Sequence, residues 1–310
     1  MKLAFFGTSD FAVPTLQACV KAGHQIVAVV TQPDRPSGRG RELRPGPVKR
    51  TALEYGLEVL QPERVKAPEF QESFKQYAPL DGAVCAAFGQ IIPQWLLDFP
   101  RVGFLNVHPS LLPKYRGAAP IQRAIMAGET VTGVTIMLMD AGLDTGPILI
   151  QCEVPIEPEE DADSLAPRLA ELGGEMVLKA LLGLEKGEIR PQPQDDTKAT
   201  YAKMLGPEDS IINWNMPAEA IVNQIRGVTP KPGAHTTIGK IALKVWHARV
   251  CDPTAKAAPG AILSIRDEGI EIAAGQGSVI LIAVQPENRK QMTAAEFARG
   301  ARLKAGDQLG

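Results

Sequence analysis

The stretch GFLNVHPSLLPKYRGAAP, residues 103–120, sets a buried strand directly before a stiff loop. Its first part, GFLNVH, is an apolar run that predicts a β-strand, and Asn106 and His108 lie two positions apart within it. Residues i and i+2 of a strand point to the same face, so these two side chains project together. Pro109 has no N–H to donate and is expected to end the strand. The pattern therefore predicts an amide and an imidazole side by side at the end of a sheet strand.

Strands and helices alternate through the first half of the chain on either side of this stretch. The apolar segments KLAFF, HQIVAVVT and DGAVCAAF predict strands before it, and TGVTIMLMD, with period-2 alternation, predicts a strand after it. Helices are expected near residues 13–21, near residues 53–55 and in AAPIQRAIMAG, which Gly128 could end. This alternation predicts an α/β domain with a mostly parallel sheet, in which ligands bind outside the carboxyl ends of the strands.

The second half of the chain follows a different pattern. Residues 163–185 carry leucines at helical spacing, and the polar, proline-containing residues 190–206 predict a linker. A short helix, MPAEAIVNQIRG, is expected to end at Gly227, and the short strands after it, separated by Gly and Pro turns, predict a small antiparallel barrel or sandwich. We therefore expect one domain over residues 1–189, a linker over 190–206 and a second domain over 207–310.

Composition narrows the class of protein. The chain has 310 residues, a net charge of −2 and an aromatic content of 5%, which suit a globular protein and give no global attraction to nucleic acid. Its four cysteines form no CxxC pair, so we expect no zinc site, no other metal site and no disulfide framework. The segment MKLAFFGTSD is too poor in apolar residues for a signal peptide, and no apolar run reaches the roughly 20 residues of a membrane helix, so a cytoplasmic location is expected.

Two common nucleotide-binding motifs are missing from the sequence. The first strand is followed by GTSDFA rather than GxGxxG, so only Gly7 would allow close backbone approach to a dinucleotide. The chain also lacks the phosphate-binding motif GxxxxGK[ST]. We therefore expect neither an NAD-binding role nor a P-loop.

A carboxylate is expected beside the amide and the imidazole, which alone would more often mark an ordinary polar strand end. Strand TGVTIMLMD continues into AGLDTGPIL, which places Asp144 in a glycine-flanked turn at a neighbouring strand end. There Asp144 could favour the charged form of His108, and Asn106 with that imidazolium would form an oxyanion site. Pro113 is expected to hold SLLP extended, with its backbone groups free for a flat polar ligand. No Ser or Cys is suitably paired for a covalent intermediate, so the pattern favours direct acyl transfer between two bound substrates.

Long motifs carry a resemblance to a known family. NVHPSLLPKYRGAAPIQRAI and GVTIMLMDAGLDTGPIL together resemble the folate-dependent formyltransferase family, and FGQIIP, residues 88–93, is similar to another part of its folate pocket. QPDRPSGRGREL and INWNMPAEAIVNQIRGVTPKPGAHTT resemble the members of the family that act on methionyl-tRNA. The likeness extends over the chain and shows no departure at the site positions.

This resemblance implies a fold, two substrates and a set of residues. It implies a Rossmann-like domain that binds 10-formyltetrahydrofolate, an OB-like barrel that contacts tRNA, and formyl transfer to the amino group of initiator methionyl-tRNA. No obligate protein partner is evident. The catalytic residues that it implies are Asn106, His108 and Asp144. The folate-contacting residues that it implies are Phe88, Gly89, Gln90, Ile91, Ser110, Leu111, Leu112 and Pro113.

A basic segment is the expected tRNA contact of the first domain. Residues 31–50 hold six basic and two acidic residues with four prolines and three glycines, so we predict a loop whose cations meet phosphates. Those cations are Arg35, Arg39, Arg41, Arg44, Lys49 and Arg50. Weaker candidates in the second domain are Arg226, Lys231, Lys240, Lys244, Arg249, Arg289 and Lys290. Trp214 and Trp246 could stack on a base, but core packing is the expected role of both.

Two other functions stay open at this point. A UDP-amino sugar could replace methionyl-tRNA as the formyl acceptor, although a small nucleotide sugar does not require an arginine-rich segment. A non-catalytic folate- or RNA-binding module would bind without turnover, although binding alone does not require the Asn-His-Asp set.

Overall fold

The computed structural model describes residues 1–37 and 42–310, and the chain divides into two compact units. The first unit comprises Met1–Gly117, Thr132–Val154 and Ala166–Tyr201. The second unit comprises Ala118–Val131, Pro155–Leu165 and Ala202–Gly310. The boundaries at 189 and 206 expected from composition stay a prediction.

Strands and helices alternate in the first part of the chain, and strands predominate after residue 230. The strands are β1 (Lys2–Gly7), β2 (Gln25–Val30), β3 (Pro36–Ser37), β4 (Glu42–Leu43), β5 (Val59–Leu60), β6 (Gly82–Ala86), β7 (Phe104–His108), β8 (Arg116–Gly117), β9 (Val131–Leu138), β10 (Ile148–Pro155), β11 (Tyr201–Ala202), β12 (Ala234–Ile238), β13 (Ile241–Val250), β14 (Ile262–Arg266), β15 (Gly269–Ala273), β16 (Ser278–Pro286) and β17 (Met292–Thr293). The helices are α1 (Val13–Lys21), α2 (Pro47–Glu54), α3 (Pro68–Phe74), α4 (Gln94–Leu97), α5 (Pro120–Met126), α6 (Ala162–Lys186), α7 (Ala218–Val228) and α8 (Ala294–Ala301). None of the helices in the described part of the chain combines the length and apolar character that crossing a membrane requires.

A seven-stranded sheet in the order β10-β9-β7-β6-β1-β2-β5 organises the first unit. Strands β5, β2, β1, β6 and β7 pair in parallel along this order, whereas β9 runs antiparallel to β7. Every residue of β6 and β7 is buried, which explains why both segments are almost continuous apolar runs. The predicted α/β architecture with a mostly parallel sheet is confirmed, and the sheet is Rossmann-like.

Aromatic side chains fill one core cluster of the first unit. The ring of Phe6, in β1, lies 6.0 Å from that of Phe74, 5.5 Å from that of Phe88 and 4.8 Å from that of Phe104, measured between centroids. These tilted and edge-on contacts suit the ring quadrupoles. Phe104 begins β7 and Phe88 follows β6, so the cluster anchors the two segments in which site residues are expected.

An antiparallel sheet in the order β12-β13-β16-β15-β14 forms the second unit, with β17 paired to β16. Residues near position 308 join its two edges: Leu309 bridges Ile238 in β12, and Gln308 bridges Ala261 just before β14. An antiparallel sheet whose edges are joined in this way has the closed, barrel-like form that removes exposed edges. The small β-barrel predicted after the α/β domain is confirmed.

Gly227 does not end its helix, contrary to expectation. Helix α7 continues through Gly227 to Val228. A Cβ atom at this position would meet the side chain of Met126 and the carbonyl oxygen of Gln122. Glycine is therefore needed here because α5 approaches the backbone of α7 closely, and the helix-ending role was the wrong interpretation.

The basic segment 31–50 is only partly a loop, and the prediction of a loop throughout is wrong. Helix α2 begins at Pro47, so Lys49 and Arg50 are helical. Proline is tolerated at the first position of a helix because its missing N–H would be unsatisfied there in any case. A high proline content therefore signalled a helix start as well as a loop.

Candidate active site

Strand β7 presents Asn106 and His108 on the same face of the sheet, as the spacing predicts. Asn106 is 9% exposed and His108 is 4% exposed. Asn106 lies opposite Cys85 of β6 and Met137 of β9, and His108 lies opposite Thr135. Asn106 is thus held by ladders on two sides, whereas His108, the last residue of β7, is held by the ladder to β9.

Both ring nitrogens of His108 face oxygen acceptors. Nε2 lies 2.9 Å from the carbonyl oxygen of Tyr115, which can only accept, so Nε2 carries a proton. Nδ1 lies 3.7 Å from Oδ2 of Asp144. A ring with an acceptor at each nitrogen is complementary to the doubly protonated imidazolium, which has two N–H groups to donate.

Asp144 reaches His108 by a route that the sequence did not suggest. Because β9 is antiparallel to β7, its last residue, Leu138, pairs with Leu105 and not with the carboxyl end of β7. The chain then turns back, with the N–H of Leu138 bonded to the carbonyl of Pro147. Asp144 adopts a left-handed backbone conformation within this turn, at φ +53°. Asp144 thus lies in the glycine-flanked turn after the neighbouring strand, as predicted, and the antiparallel direction of β9 is the feature that was not predicted.

The amide of Asn106 makes no hydrogen bond with any residue that the structure describes. Asn106 is not among the buried side-chain groups that lack a partner, so its amide keeps access to solvent or to a ligand. Its two N–H donors and one oxygen are available on the face that carries His108. Asn106 therefore has the free donor that an oxyanion site requires.

The SLLP segment differs from its prediction. Its last two residues, Leu112 and Pro113, begin a turn that covers residues 112–115, and its backbone groups are largely used within the protein. Thr135 Oγ1 donates to the carbonyl of Ser110 at 2.6 Å and accepts from the N–H of Leu112 at 3.2 Å. Gln151 Nε2 donates to the carbonyl of Leu112 at 2.8 Å. The expectation of an extended segment with free backbone groups is wrong, because the buried Thr135 and the exposed Gln151 bond this segment to strands β9 and β10.

The FGQI segment, residues 88–91, combines anchored and open positions. Phe88 is buried, and its carbonyl accepts from Gln32 Nε2 at 3.0 Å. Gly89 has φ +80°, which favours glycine, and the amide oxygen of Gln90 accepts from a backbone N–H at 3.0 Å. Ile91, in contrast, is 90% exposed. The segment therefore combines a buried anchor with one apolar side chain that is open to solvent.

Neither nearby candidate nucleophile is activated. Burial, and to a lesser degree the charge of Asp144, raises the pKa of the Cys85 thiol to about 12, so the thiol stays protonated. The hydroxyl of Ser110 is fully buried and donates to the carbonyl of Lys114 at 2.7 Å. These surroundings agree with direct transfer rather than a covalent acyl intermediate.

The basic residues of segment 31–50 occupy different surroundings. Arg35, Arg44 and Arg50 are exposed. Arg39 and Arg41 lie outside the described residues. The exposed guanidinium groups keep the solvent access that a contact with phosphate requires.

Lys49 is half-buried, and its ammonium group has two partners within the protein. Its Nζ donates to Asp34 Oδ2 at 2.5 Å and to Gln61 Oε1 at 2.6 Å. Hydrogen bonds to Asp34, that from Lys49 first, lower the pKa of its carboxyl. The ammonium group of Lys49 is therefore used within the protein, where it bonds Lys49 to Asp34, 15 residues earlier in the chain.

The two tryptophans of the second unit also differ in their surroundings, because one is buried and the other is half-buried. Trp214 is buried and its Nε1 donates to Thr236 at 2.9 Å, so its predicted core role is confirmed. Trp246 is half-buried, with Lys244 Nζ 3.9 Å from its ring centroid, which is a cation–π contact. The core role predicted for Trp246 is wrong, because β13 turns this side chain toward the surface.

Several cations of the second unit have protein partners. Arg226 donates to the carbonyl oxygens of Glu157 and Glu160, and Arg249 pairs with Glu268 at 2.7 Å. Four others are exposed: Lys231, Lys240, Arg289 and Lys290.

Four residues that border the site had no role predicted from the sequence. Tyr115, Arg116 and Gly117 are consecutive, and they contact His108 or Asp144 through their backbone or through Gln194. The letters KYRG follow the SLLP motif directly, which was a usable signal. Gln194 carried no such signal, because it lies in a polar segment without periodicity.

Metal ligands were not expected, and the described residues contain no group of three His, Cys, Asp or Glu side chains able to hold a metal ion.

Comparison with known proteins finds relatives of this chain along most of its length. The family described as "Formyl transferase" matches residues 1–181, and "Formyl transferase, C-terminal domain" matches residues 204–302. The chain is 50% identical to the methionyl-tRNA formyltransferase of Solibacter usitatus, over 100% of this chain and 99% of that protein. It is 47% identical to the methionyl-tRNA formyltransferase of Syntrophus aciditrophicus, again over 100% and 99%.

A solved structure supports the fold at lower identity. The N-formyltransferase from Helicobacter canadensis, in complex with folinic acid and dTDP-3-aminofucose, superposes with a TM-score of 0.67. It is 20% identical and covers 91% of this chain and 98% of its own. The sequence matches over both halves of the chain establish that it belongs to the formyl transferase family.

Proposed function

We propose that this protein transfers the formyl group of 10-formyltetrahydrofolate to the amino group of methionine on initiator methionyl-tRNA. The product is N-formylmethionyl-tRNA, which serves translation initiation. The observation that carries the proposal is the full-length identity of 46–50% to proteins named methionyl-tRNA formyltransferase. The site geometry supports it, because an unpaired buried amide lies beside a histidine–carboxylate pair.

The residues of the site would act in separate roles. In the proposed reaction 10-formyltetrahydrofolate supplies the electrophilic carbon. The methionyl amine forms a new N–C bond to that carbon, the bond to the folate nitrogen breaks, and the proton lost by the amine passes to the folate nitrogen. Asn106 donates a hydrogen bond to the formyl oxygen as negative charge builds there, and such a donor is worth about 2.7–4 kcal/mol of the barrier. The carboxylate of Asp144, 3.7 Å from His108 Nδ1, would stabilise positive charge on the ring and relay the proton through water.

The hydrogen bonds already present indicate which of the two expected donors to the formyl oxygen, Asn106 or His108, is available first. Asn106 has N–H groups without a partner among the described residues, whereas the Nε2 proton of His108 is bound to the carbonyl of Tyr115. Asn106 is thus the ready donor. His108 would donate to the formyl oxygen only after Nε2 leaves Tyr115, so its first role in this proposal is to place a positive charge near the oxyanion.

The folate-contacting role of the eight expected residues fits the structure unevenly. Among the eight, the exposed side chain of Ile91 offers an apolar contact, and the amide of Asn106, which belongs to the catalytic set, would add a polar one. Leu111 and Pro113 are partly accessible, whereas Ser110 and Leu112 are buried and latched. The buried members would therefore shape the pocket without touching the ligand through their side chains.

Exposed arginines support a polyanionic acceptor. Arg35, Arg44 and Arg50 are exposed on a segment that resembles the tRNA-acting members of the family. The acceptor alternative, a UDP-amino sugar, is not favoured, since the sugar-modifying structural neighbour is 20% identical and shares only the fold. We also propose a division into a catalytic domain (1–189), a linker (190–206) and a tRNA-contacting barrel (207–310), and a cytoplasmic location, where the acceptor is made.

One assay tests this proposal. The protein is incubated with 10-formyltetrahydrofolate and, in separate reactions, with initiator methionyl-tRNA or a UDP-amino sugar. Formylation of the methionyl-tRNA alone is the expected result. Formylation of the sugar alone would replace the acceptor, and folate binding without transfer to either acceptor would support a non-catalytic module.

A further inference from the structure

Three consecutive residues hold both members of the histidine–carboxylate pair. The carbonyl of Tyr115 accepts from His108 Nε2 at 2.9 Å, and the N–H of Gly117 donates to Asp144 Oδ2 at 2.8 Å. Arg116 lies between them. Any shift of this short segment would therefore change the hydrogen bonds of His108 and Asp144 together.

Arg116 anchors this segment through a buried guanidinium group. The residue is 2% exposed and is the largest of the fully buried side chains among the described residues. Its Nε and Nη2 donate to Gln194 Oε1 at 3.1 and 2.8 Å, and Nη2 also donates to Asp196 Oδ1 at 2.7 Å. A buried charge stays in place only when it is paired in this way, so the backbone at 115–117 is fixed by its own side chain.

Gln194 connects the same guanidinium to the turn that carries Asp144. Its Nε2 donates to the carbonyl of Asp144 at 2.9 Å and to the carbonyl of Gly146 at 2.7 Å. Its Oε1 accepts from Arg116, so the oxygen of this amide binds the guanidinium while its NH₂ group binds the turn. The amide therefore ties the 115–117 segment to the 144–146 turn.

The backbone of Tyr115 shows that this arrangement is imposed from outside. Tyr115 has φ +61°, a left-handed conformation that is unfavourable for a residue with a bulky side chain. The neighbouring strand β11 begins next to Thr200, whose Oγ1 accepts from the N–H of Tyr115 at 2.8 Å and whose carbonyl accepts from the N–H of Arg116 at 2.9 Å. Backbone strain of about 1–3 kcal/mol persists only where surrounding contacts enforce it.

We infer that Arg116 and Gln194 form a positioning pair that sets the distance and the proton arrangement of His108 and Asp144. Neither residue is proposed to touch the substrates. The effect on turnover rests on the proposed formyl transfer, whereas the effect on the imidazole does not. A displacement of about 1 Å at a reacting group can cost about 10²-fold in rate, which is why a pair outside the chemistry matters.

Asp196 provides the matched control. It also binds the Arg116 guanidinium, but its side chain is 79% exposed. Solvent screens the charge of such an exposed partner, and asparagine at this position keeps an oxygen acceptor for Nη2, so Asp196→Asn should leave the buried Arg116–Gln194 contact in place.

The variants separate anchoring from general stability. Gln194→Glu keeps an acceptor for Arg116 and removes the donor to the carbonyls of Asp144 and Gly146. Arg116→Lys keeps the positive charge and removes the planar fork that Gln194 needs. Asp196→Asn serves as the control for both.

Two readouts are measured on each folded variant. The first is the ¹H–¹⁵N imidazole spectrum, which reports the tautomer and charge of each ring; the chain has only four histidines, so His108 can be assigned by its loss in His108→Gln. The second is kcat and KM for formyl transfer to methionyl-tRNA. Circular dichroism establishes that each variant is folded.

We expect Gln194→Glu and Arg116→Lys to move the His108 ring signals and to lower kcat by about 10-fold or more, with KM changed by less than about twofold. Asp196→Asn should change neither readout. Ring signals of His108 that match the unmodified protein in both folded variants would overturn the positioning role. If the protein failed to formylate methionyl-tRNA at all, the ring signals would still decide the inference, so the two failures are distinguishable.

Discussion

Arg116 and Arg50 place the same guanidinium group in opposite surroundings. Arg116 is 2% exposed and uses its donors on Gln194 and Asp196, whereas Arg50 is exposed on helix α2. A buried, paired arginine fixes backbone, and an exposed one keeps its donors for an incoming polyanion. Changes near the site should therefore act on kcat, while changes on the basic segment should act on the KM for tRNA.

The largest effect is expected from Asp144→Asn, at the site. Asparagine can still accept from the N–H of Gly117, so the turn is kept, but the negative charge 3.7 Å from His108 Nδ1 is lost. A comparable change in a tighter histidine–carboxylate pair costs about 10⁴ in kcat. We expect a smaller fall of about 10²–10³ for this protein, measured as the single-turnover rate with both substrates saturating. A loss below about fivefold would show that the charge of Asp144 is not used.

Arg123, in the second unit, is another arginine that is paired with a carboxylate, and this contact gives a pH-dependent prediction. Arg123 donates to both carboxylate oxygens of Asp209, at 2.6 and 2.7 Å, and this contact lowers the pKa of Asp209 below its ordinary 3.8. A lowered folded pKa stabilises the protein above pH 3.8, and that contribution disappears as the pH falls through the folded value. Asp209→Asn should lower the free energy of unfolding by about 1.5–3 kcal/mol at pH 7.

Urea unfolding at pH 7 and near pH 3 checks this prediction. The difference between the protein and Asp209→Asn should shrink as the pH falls, because protonated aspartate resembles asparagine in charge. An equal difference at both pH values would mean that the Arg123 contact contributes through packing and not through charge.

A smaller effect is expected from the exposed arginines. Arg35→Ala and Arg50→Ala should each raise the KM for tRNA several-fold and leave kcat nearly unchanged. Each lost phosphate contact should reduce the slope of log affinity against log salt by about 0.7–0.9. Unchanged tRNA kinetics and salt dependence in the double variant would remove this segment from tRNA binding.

The smallest effect on tRNA is expected from Lys49→Ala. The Nζ of Lys49 is already bound to Asp34 and Gln61, so it has little to offer a phosphate. Its salt slope should match that of the unmodified protein, in contrast to Arg50→Ala one position away. A slope change as large as that of Arg50→Ala would contradict the division into paired and exposed cations.

The sequence predicted most of the frame because local patterns determine it. Continuous apolar runs predicted β6 and β7, and the i, i+2 spacing placed Asn106 and His108 on one face. The order and direction of strands depend on long-range pairing that periodicity does not encode, so the antiparallel β9 and the return of Asp144 were not predicted. The role of Gly227 was missed for the same reason, since a neighbouring helix and not its own turn requires a glycine there.

The residues of the candidate site were predicted from the sequence, but the residues that hold them in place were not. Thr135 and Gln151, which latch the SLLP segment, are ordinary polar residues of two strands. Gln194 lies 50 residues beyond Asp144 in a segment without regular pattern. Such contacts join side chains that are distant in sequence, and a single sequence carries no trace of them.

The most direct test of the central claim, that the unpaired amide of Asn106 stabilises the transferring formyl group, is one paired measurement on Asn106→Ala. The single-turnover rate of formyl transfer to methionyl-tRNA is measured together with the dissociation constant of the folate. We predict a fall in rate of about 10²–10³ with little change in folate affinity. A rate near that of the unmodified protein, or a loss explained entirely by weaker folate binding, would contradict the account.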